Sequence, residues 1–154
     1  MNNNSFRLQT LLDLSHARMD DAARQLGQLL SSEQEGAQKL AMLTQYRDEY
    51  QRGFLEAARQ GLGRGQWANY QAFLARLDQA VAHQQSALDQ SKQRTSDGQK
   101  AWLEQRNKSK AFDTLSERHR SESLKADARA EQKLTDEHAA KGGRDGGRGD
   151  DPAA

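Results

Sequence analysis

The stretch GLGRG at residues 61–65 separates two long segments in which apolar residues recur at alternating steps of three and four. Ten of the fourteen residues at this spacing in the first segment are apolar, and we call the set the first seam: Leu12, Ser15, Met19, Ala22, Leu26, Leu29, Glu33, Gly36, Leu40, Leu43, Arg47, Tyr50, Phe54 and Ala57. Eight of fourteen are apolar in the second seam: Trp67, Tyr70, Leu74, Leu77, Val81, Gln84, Leu88, Ser91, Thr95, Gly98, Trp102, Gln105, Ser109 and Phe112. A step that averages about 3.5 residues keeps one narrow stripe of a helix facing a partner helix. Glycines allow a chain to reverse between such helices, so we predict an all-α fold of two long helices in an antiparallel coiled-coil hairpin.

The boundaries of this hairpin follow from the positions of helix breakers. The only proline lies close to the carboxyl terminus, so neither segment contains a strong breaker. The carboxyl-terminal residues are rich in Gly, Asp and Arg and include no large apolar side chain, which is typical of a disordered tail. The predicted elements are a hairpin over residues 5–140, with helix one at about 6–60, a turn at 61–65, helix two at about 66–140, and a disordered tail at 141–154.

The two seams also predict which residues face each other. If the chain folds back about Leu62, every member of the first seam meets a member of the second. Large residues then often meet small ones, as interdigitated packing requires. Facing pairs include Phe54 with Tyr70, Leu29 with Thr95, Leu26 with Gly98, and Leu12 with Phe112.

This register leaves the end of helix two without a partner. Phe6 faces Arg118, so residues 119–140 continue alone for roughly 30 Å at about 1.5 Å per residue. Leu124 and Leu134 are the only large apolar residues in this range. A single exposed helix is marginal in water, and we expect this overhang to fray in the free protein and to become ordered on a partner.

Composition excludes several classes of function. Hydrophobic residues make up 34% of the chain, charged residues 29%, and the mean hydropathy is −1.07, which suits two helices that share only a seam. A net charge of +1 gives no case for nucleic-acid binding. The chain has no cysteine, its four histidines show no metal-ligand spacing, and a two-helix rod offers no closed pocket. We therefore expect no enzymatic activity, metal or cofactor. The amino terminus lacks a signal-peptide pattern, so we expect a cytoplasmic protein.

One aromatic residue lies off the seam. Phe73 precedes the seam residue Leu74 by one position, and it continues to Leu77 and Ala80 at helical spacing. Two interpretations stand side by side. The pattern indicates either a widened flank of the seam or a docking patch for a partner protein, since a two-helix rod has no third helix to cover an exposed aromatic ring.

Several segments resemble the FliJ family of soluble components of the bacterial flagellar type III export apparatus. The most specific segment is WANYQAFL at residues 67–74; YRDEY at 46–50, EQKLTDE at 131–137 and FRLQTLLDL at 6–14 fit as well. The likeness extends over about residues 5–140.

This resemblance implies a set of partners. Members of the family look like the antiparallel central stalk of rotary ATPases, bind the hexameric flagellar export ATPase through the end formed by both termini, contact the cytoplasmic domain of the membrane export gate, and escort export chaperones. The chain is then expected at the cytoplasmic side of the inner membrane. Independently of the resemblance, each seam finds its complement within the same chain, so we expect the free protein to be a monomer. The family's gate-contacting face maps onto Phe73, Leu77, Ala80 and Gln84, where Gln84 replaces the histidine expected from the family. Candidate ATPase-binding residues at the terminal end are Phe6, Leu8, Leu11, Gln132, Lys133, Asp136 and Glu137.

Two alternatives remain at this stage. The first is the analogous stalk of a virulence-type secretion system. The second is a purely structural coiled-coil dimer, which requires the seam to continue beyond Phe112, whereas apolar residues become sparse there.

Overall fold

The protein forms two long α-helices that pack against each other, as seen in a computed structural model that describes residues 2–145. Helix α1 is Asn2–Gln60 and helix α2 is Arg64–Asp145. No strand occurs among the described residues. The predicted all-α fold of two long packed helices is confirmed.

The connection between the helices is shorter than the predicted five-residue turn. Gly61 has a φ of 99°, which glycine adopts without strain, and its N–H donates to the carbonyl of Ala58 at 3.3 Å. The N–H of Trp67 donates to the carbonyl of Gly63 at 3.0 Å. The carbonyl of Gly63 thus accepts the first backbone hydrogen bond of α2, so the helix starts at Arg64 and the turn contains only three residues.

The outer ends of both helices extend past the predicted limits. Helix α1 begins at Asn2 instead of near residue 6, and α2 runs on to Asp145 instead of ending near residue 140. The predicted disordered tail is therefore helical over residues 141–145, and its remainder, 146–154, lies outside the described residues. The two glycines in 141–145 each cost about 1 kcal/mol relative to alanine, but neither removes a backbone donor as proline does.

Both helices contribute to two compact units. The turn unit is His16–Asn107, and the terminal unit combines Met1–Ser15 with Lys108–Ala154, described here over residues 2–15 and 108–145.

The core of the turn unit is the predicted seam. Every first-seam residue of this unit is buried or half-buried, as is every second-seam residue except Trp67. Phe54, Leu77 and Leu88 are its buried apolar residues. Trp67 is 44% exposed because its predicted partner, Ala57, is too small to cover an indole ring.

Contacts between the helices of the turn unit confirm the predicted register. The Thr95 hydroxyl donates to the carbonyl of Leu29 at 3.4 Å, and the rings of Phe54 and Tyr70 have centroids 5.5 Å apart. A Cβ placed on Gly98 would lie 3.6 Å from Leu26 Cδ1 and only 2.6 Å from Leu29 Cδ1. Gly98 thus allows the leucines of α1 to approach the α2 backbone closely.

The terminal unit contains the start of α1 and the unpartnered end of α2. Ser15 and Ser109 are buried in it, and Ser5 Oγ lies 3.0 Å from His119 Nε2, again in the predicted register. Because α1 extends to Asn2, it covers His119, which is half-buried. Every residue from 120 to 144 is exposed. The predicted overhang is therefore present, but it starts one residue later than expected.

Glycine substitutions give a direct test of the close approach at Gly98. A Cβ at Gly27 would meet no atom within 4 Å, so Gly27→Ala should raise the free energy of unfolding by about 1 kcal/mol through helix propensity alone. Gly98→Leu should lower it by about 1–3 kcal/mol, because a side chain must fit where Leu29 already lies. Thermal unfolding of both variants checks this; equal stability of the two would contradict the close packing at Gly98.

Candidate functional site

An aromatic cluster fills the turn unit near the chain reversal. Phe54 lies 4.9 Å from Trp67, and Tyr50 lies 5.4 Å from Tyr70, measured between ring centroids. Interplanar angles of 61° and 44° are typical of edge and tilted aromatic pairs. These rings tie α1 to α2 close to the turn.

Phe73 lies at the edge of this cluster. Its ring centroid is 4.5 Å from that of Tyr50 and 6.4 Å from that of Tyr46, the latter at an interplanar angle of 86°. Phe73 is half-buried, as expected for an aromatic residue one position off the seam. Burial raises the pKa of Tyr50 above its ordinary value, with smaller contributions from Tyr70 and Tyr46.

The four residues predicted to face the gate do not form one exposed surface. Leu77 is only 8% exposed and belongs to the core. Ala80 is half-buried, and Gln84 donates its side-chain N–H to the carbonyl of Gly36 at 3.2 Å. Of the four, Phe73 alone offers an aromatic surface next to exposed neighbours.

Those neighbours come from α1, and the seam pattern of the sequence does not reveal them. Met42 is 71% exposed and Tyr46 is 50% exposed, and together with Lys39 and Leu43 they line a groove of about 350 Å³. Because Tyr46 also contacts Phe73, the two helices share one exposed apolar region. We define the aromatic face as Met42, Tyr46, Tyr50 and Phe73. The signal available in the sequence was the four-residue spacing of Met42, Tyr46 and Tyr50 on one side of α1.

A charged residue occupies the seam beside this face. Arg47 stands opposite Leu77 in the register, and its Nε donates to the carboxylate of Asp78 on α2. Its Nη1 lies 3.3 Å from the carboxylate of Asp48. The hydrogen bond and charge of Asp78, followed by those of Asp48, hold the pKa of Arg47 above its ordinary value. Arg47 thus joins the two helices through an ion pair.

The candidate ATPase-binding residues all lie in the terminal unit. Phe6 and Leu11 are exposed on α1, whereas Leu8 is half-buried and lies in the extended seam. The predicted residues of α2 are all exposed, and Gln132 donates to Asp136 at 3.2 Å. These α2 residues are Gln132, Lys133, Asp136 and Glu137.

Further exposed apolar residues lie in the same unit. Leu11, Leu14 and Leu115 are exposed, and each is followed by a residue that is buried or half-buried between the helices. The three leucines therefore flank the seam of the terminal unit. Leu124 is 61% exposed and Leu134 is 66% exposed, both on the overhang. We define the terminal surface as Phe6, Leu11, Leu14, Leu115, Leu124 and Leu134.

Within residues 2–145 both candidate sites, the aromatic face and the terminal surface, are surfaces of the helices. No group of three or more His, Cys, Asp or Glu side chains in this range is placed to hold a metal ion. None of its buried side-chain nitrogen or oxygen atoms lacks a hydrogen-bond partner. Neither helix, over its described residues, has an apolar run long enough to cross a bilayer.

Comparison with known proteins identifies relatives along nearly the whole chain. The family described as "Flagellar FliJ protein" matches residues 4–148. The Flagellar FliJ protein of Salmonella typhi is 34% identical over 132 residues, which cover 86% of this chain and 90% of the relative. The Flagellar FliJ protein of Escherichia coli strain K12 is 33% identical over the same coverage. The chain thus belongs to the flagellar FliJ protein family.

Proposed function

We propose that this protein is a non-enzymatic component of the flagellar protein export apparatus and serves as the central stalk of the hexameric export ATPase. The observation that carries the proposal is the overhang of α2, in which every residue from 120 to 144 is exposed on a continuous helix. An exposed single helix is stable in water only in part, so it suits a segment that inserts into a protein ring. The flagellar name of the family favours this role over a virulence-type stalk.

The composition of the overhang suits a segment that is already partly helical before its partner binds it. Ala126, Ala128 and Ala130 give it high helix propensity. Its exposed Leu124 and Leu134 supply apolar area for a partner. A ring of subunits around the helix stabilises a conformation that the free chain already samples.

We assign the link to the export gate to the aromatic face. Phe73 with Tyr46 and Met42 forms an aromatic and apolar surface across both helices, and aromatic residues are enriched among those that dominate the energy of protein interfaces. ATPase binding at the terminal surface and gate binding at the aromatic face then couple ATP hydrolysis to export at the inner membrane. The escort of export chaperones is proposed from the family resemblance.

Point variants on the overhang test the ATPase role. Leu124→Asp and Leu134→Asp should each reduce stimulation of the export ATPase about tenfold or more, because a buried interface leucine becomes a charge, and each should leave thermal unfolding unchanged. Leu55→Asp is a matched control, since Leu55 is also exposed but lies in the turn unit. Normal stimulation by both overhang variants would contradict the proposal.

The free protein should be a monomer. All fourteen residues of the first seam are buried or half-buried within the same chain, so this seam is not available to a second copy. Sedimentation equilibrium at micromolar concentration should give the mass of a single chain, 17.3 kDa. A stable dimer would favour the purely structural coiled coil instead.

A further inference from the structure

The ion pair of Arg47 with Asp78 lies across the seam from the aromatic face. Asp78 follows a seam position by one residue, whereas Phe73 precedes one, so the two lie on opposite edges of the seam. Tyr46 likewise precedes a seam residue, Arg47, and it lies on the same edge of the seam as Phe73. An ion pair therefore joins the two helices along one edge of the seam, and aromatic contacts join them along the other edge.

A second polar contact joins the same segment of α2 to α1. The Gln84 side chain donates to the backbone carbonyl of Gly36 at 3.2 Å. A Cβ on Gly36 would lie 3.7 Å from the Gln84 amide nitrogen, so the amide rests against the α1 backbone. The two polar contacts hold α2 at Asp78 and at Gln84, and Ala80 of the predicted gate face lies between them.

Polar contacts in a coiled-coil seam act on geometry more than on stability. An apolar seam tolerates small rotations and slips because its contacts are non-directional. A charged or polar residue in the seam favours one register, usually at a cost in stability. The Arg47 side chain is 33% exposed, and its guanidinium bonds a carboxylate on each helix. Its position is therefore specified more sharply than that of the leucines around it.

We propose that Arg47 is a positioning residue, whose pairing with Asp78 fixes the rotation of α2 so that Phe73 stays against Tyr46 and Tyr50 in the form that the export gate binds. The inference rests on the proposed docking of the gate on the aromatic face. It adds that the ion pair contributes to gate affinity through the geometry of that face, without contact between Arg47 and the gate.

The test uses the full chain and the cytoplasmic domain of the export gate, with binding measured by titration. Arg47→Met keeps a long side chain in the seam but removes the charge, and Asp78, whose side chain is 54% exposed, stays solvated without its partner, so little stability is lost. We expect nearly unchanged thermal stability together with gate binding weakened by about threefold or more. If Arg47 acted only on stability, the variant would not weaken gate binding while its thermal stability stayed nearly unchanged.

Asp78 supplies the rescue experiment. Asp78→Arg should weaken gate binding, and the combined Arg47→Asp and Asp78→Arg chain should recover at least part of the loss by restoring the ion pair in reverse. Failure of the combined chain to bind better than Asp78→Arg would mean that Asp78 acts through direct contact, and it would overturn the inference.

Phe73→Ala distinguishes failure of the inference from failure of the docking proposal. If Phe73→Ala weakens gate binding and Arg47→Met does not, the aromatic face binds the gate but Arg47 does not position it. If neither variant changes the affinity, the proposed docking surface itself is wrong, and the positioning role fails with it.

Discussion

A chain that ends at Arg120 should unfold at nearly the temperature of the full protein and yet lose its stimulation of the export ATPase. Residues 121–144, which the deletion removes, are all exposed, and the shortened chain retains the contact of Ser5 with His119. Exposed residues of a single helix contribute little to the stability of the packed helices. Stimulation should fall to the level of the ATPase alone, because the proposed binding segment is absent.

A chain that ends at Arg144 is the matched control for this deletion. It lacks the Gly-rich remainder of the predicted tail but keeps the whole exposed run of residues 120–144. We expect normal stimulation and a normal unfolding temperature. Full stimulation by the shorter chain would contradict the stalk assignment, and loss of stimulation by both chains would place the binding segment in the tail.

Phe73→Ala should weaken binding to the cytoplasmic domain of the export gate about tenfold or more, which is typical of an aromatic residue at the centre of an interface. Helicity should be retained. Some stability will be lost, since Phe73 contacts both Tyr46 and Tyr50 and an aromatic pair contributes about 0.5–1.5 kcal/mol. Binding by titration and unfolding by circular dichroism, measured on the same samples, check both effects.

Trp67→Ala provides the control for lost aromatic packing. Trp67 contacts Phe54 and is partly exposed, but it does not belong to the aromatic face. It should lower stability to a similar extent and leave gate binding unchanged. If both variants weaken gate binding equally, the effect comes from stability and the docking assignment is wrong. Leu77→Ala is unsuitable here because Leu77 is buried in the core, where such a change costs about 2–5 kcal/mol.

The sequence predicted the fold and register well because both depend on a repeating one-dimensional pattern. A step of three and four residues determines which side of each helix is buried, and the glycines at the turn determine where the chain reverses. Leu29 with Thr95 and Leu26 with Gly98 could therefore be paired from residue numbers alone, and the structure confirms both pairs.

The candidate site was harder to predict, because it depends on how side chains at the seam edges are oriented. Phe73 was identified as off the seam, but its contact with Tyr46 involves the flanks of both helices, which the seam pattern does not describe. Gln84 was placed on the docking patch, whereas its amide bonds to Gly36. An amide at a seam position can face either outward or toward the opposite backbone, and spacing alone does not determine which.

The two helices were also predicted to be shorter than they are. The described helices include Asn2, Arg64 and Asp145, where composition had suggested loops. A helix that is already long extends into weak helix formers at little cost, because each added residue gains a backbone hydrogen bond and only nucleation is expensive.

Hydrogen exchange of the free protein and of its complex with the hexameric ATPase tests the central claim most directly. In the free protein, amides of residues 120–144 should exchange much faster than those of residues 40–54, because the former lie on an exposed helix and the latter contain seam residues packed against α2. On addition of the ATPase, residues 120–144 should become protected while residues 40–54 change little. Equal protection of the two segments in the free protein, or no gain over 120–144 in the complex, would contradict the assignment of the overhang as the segment that binds the ATPase.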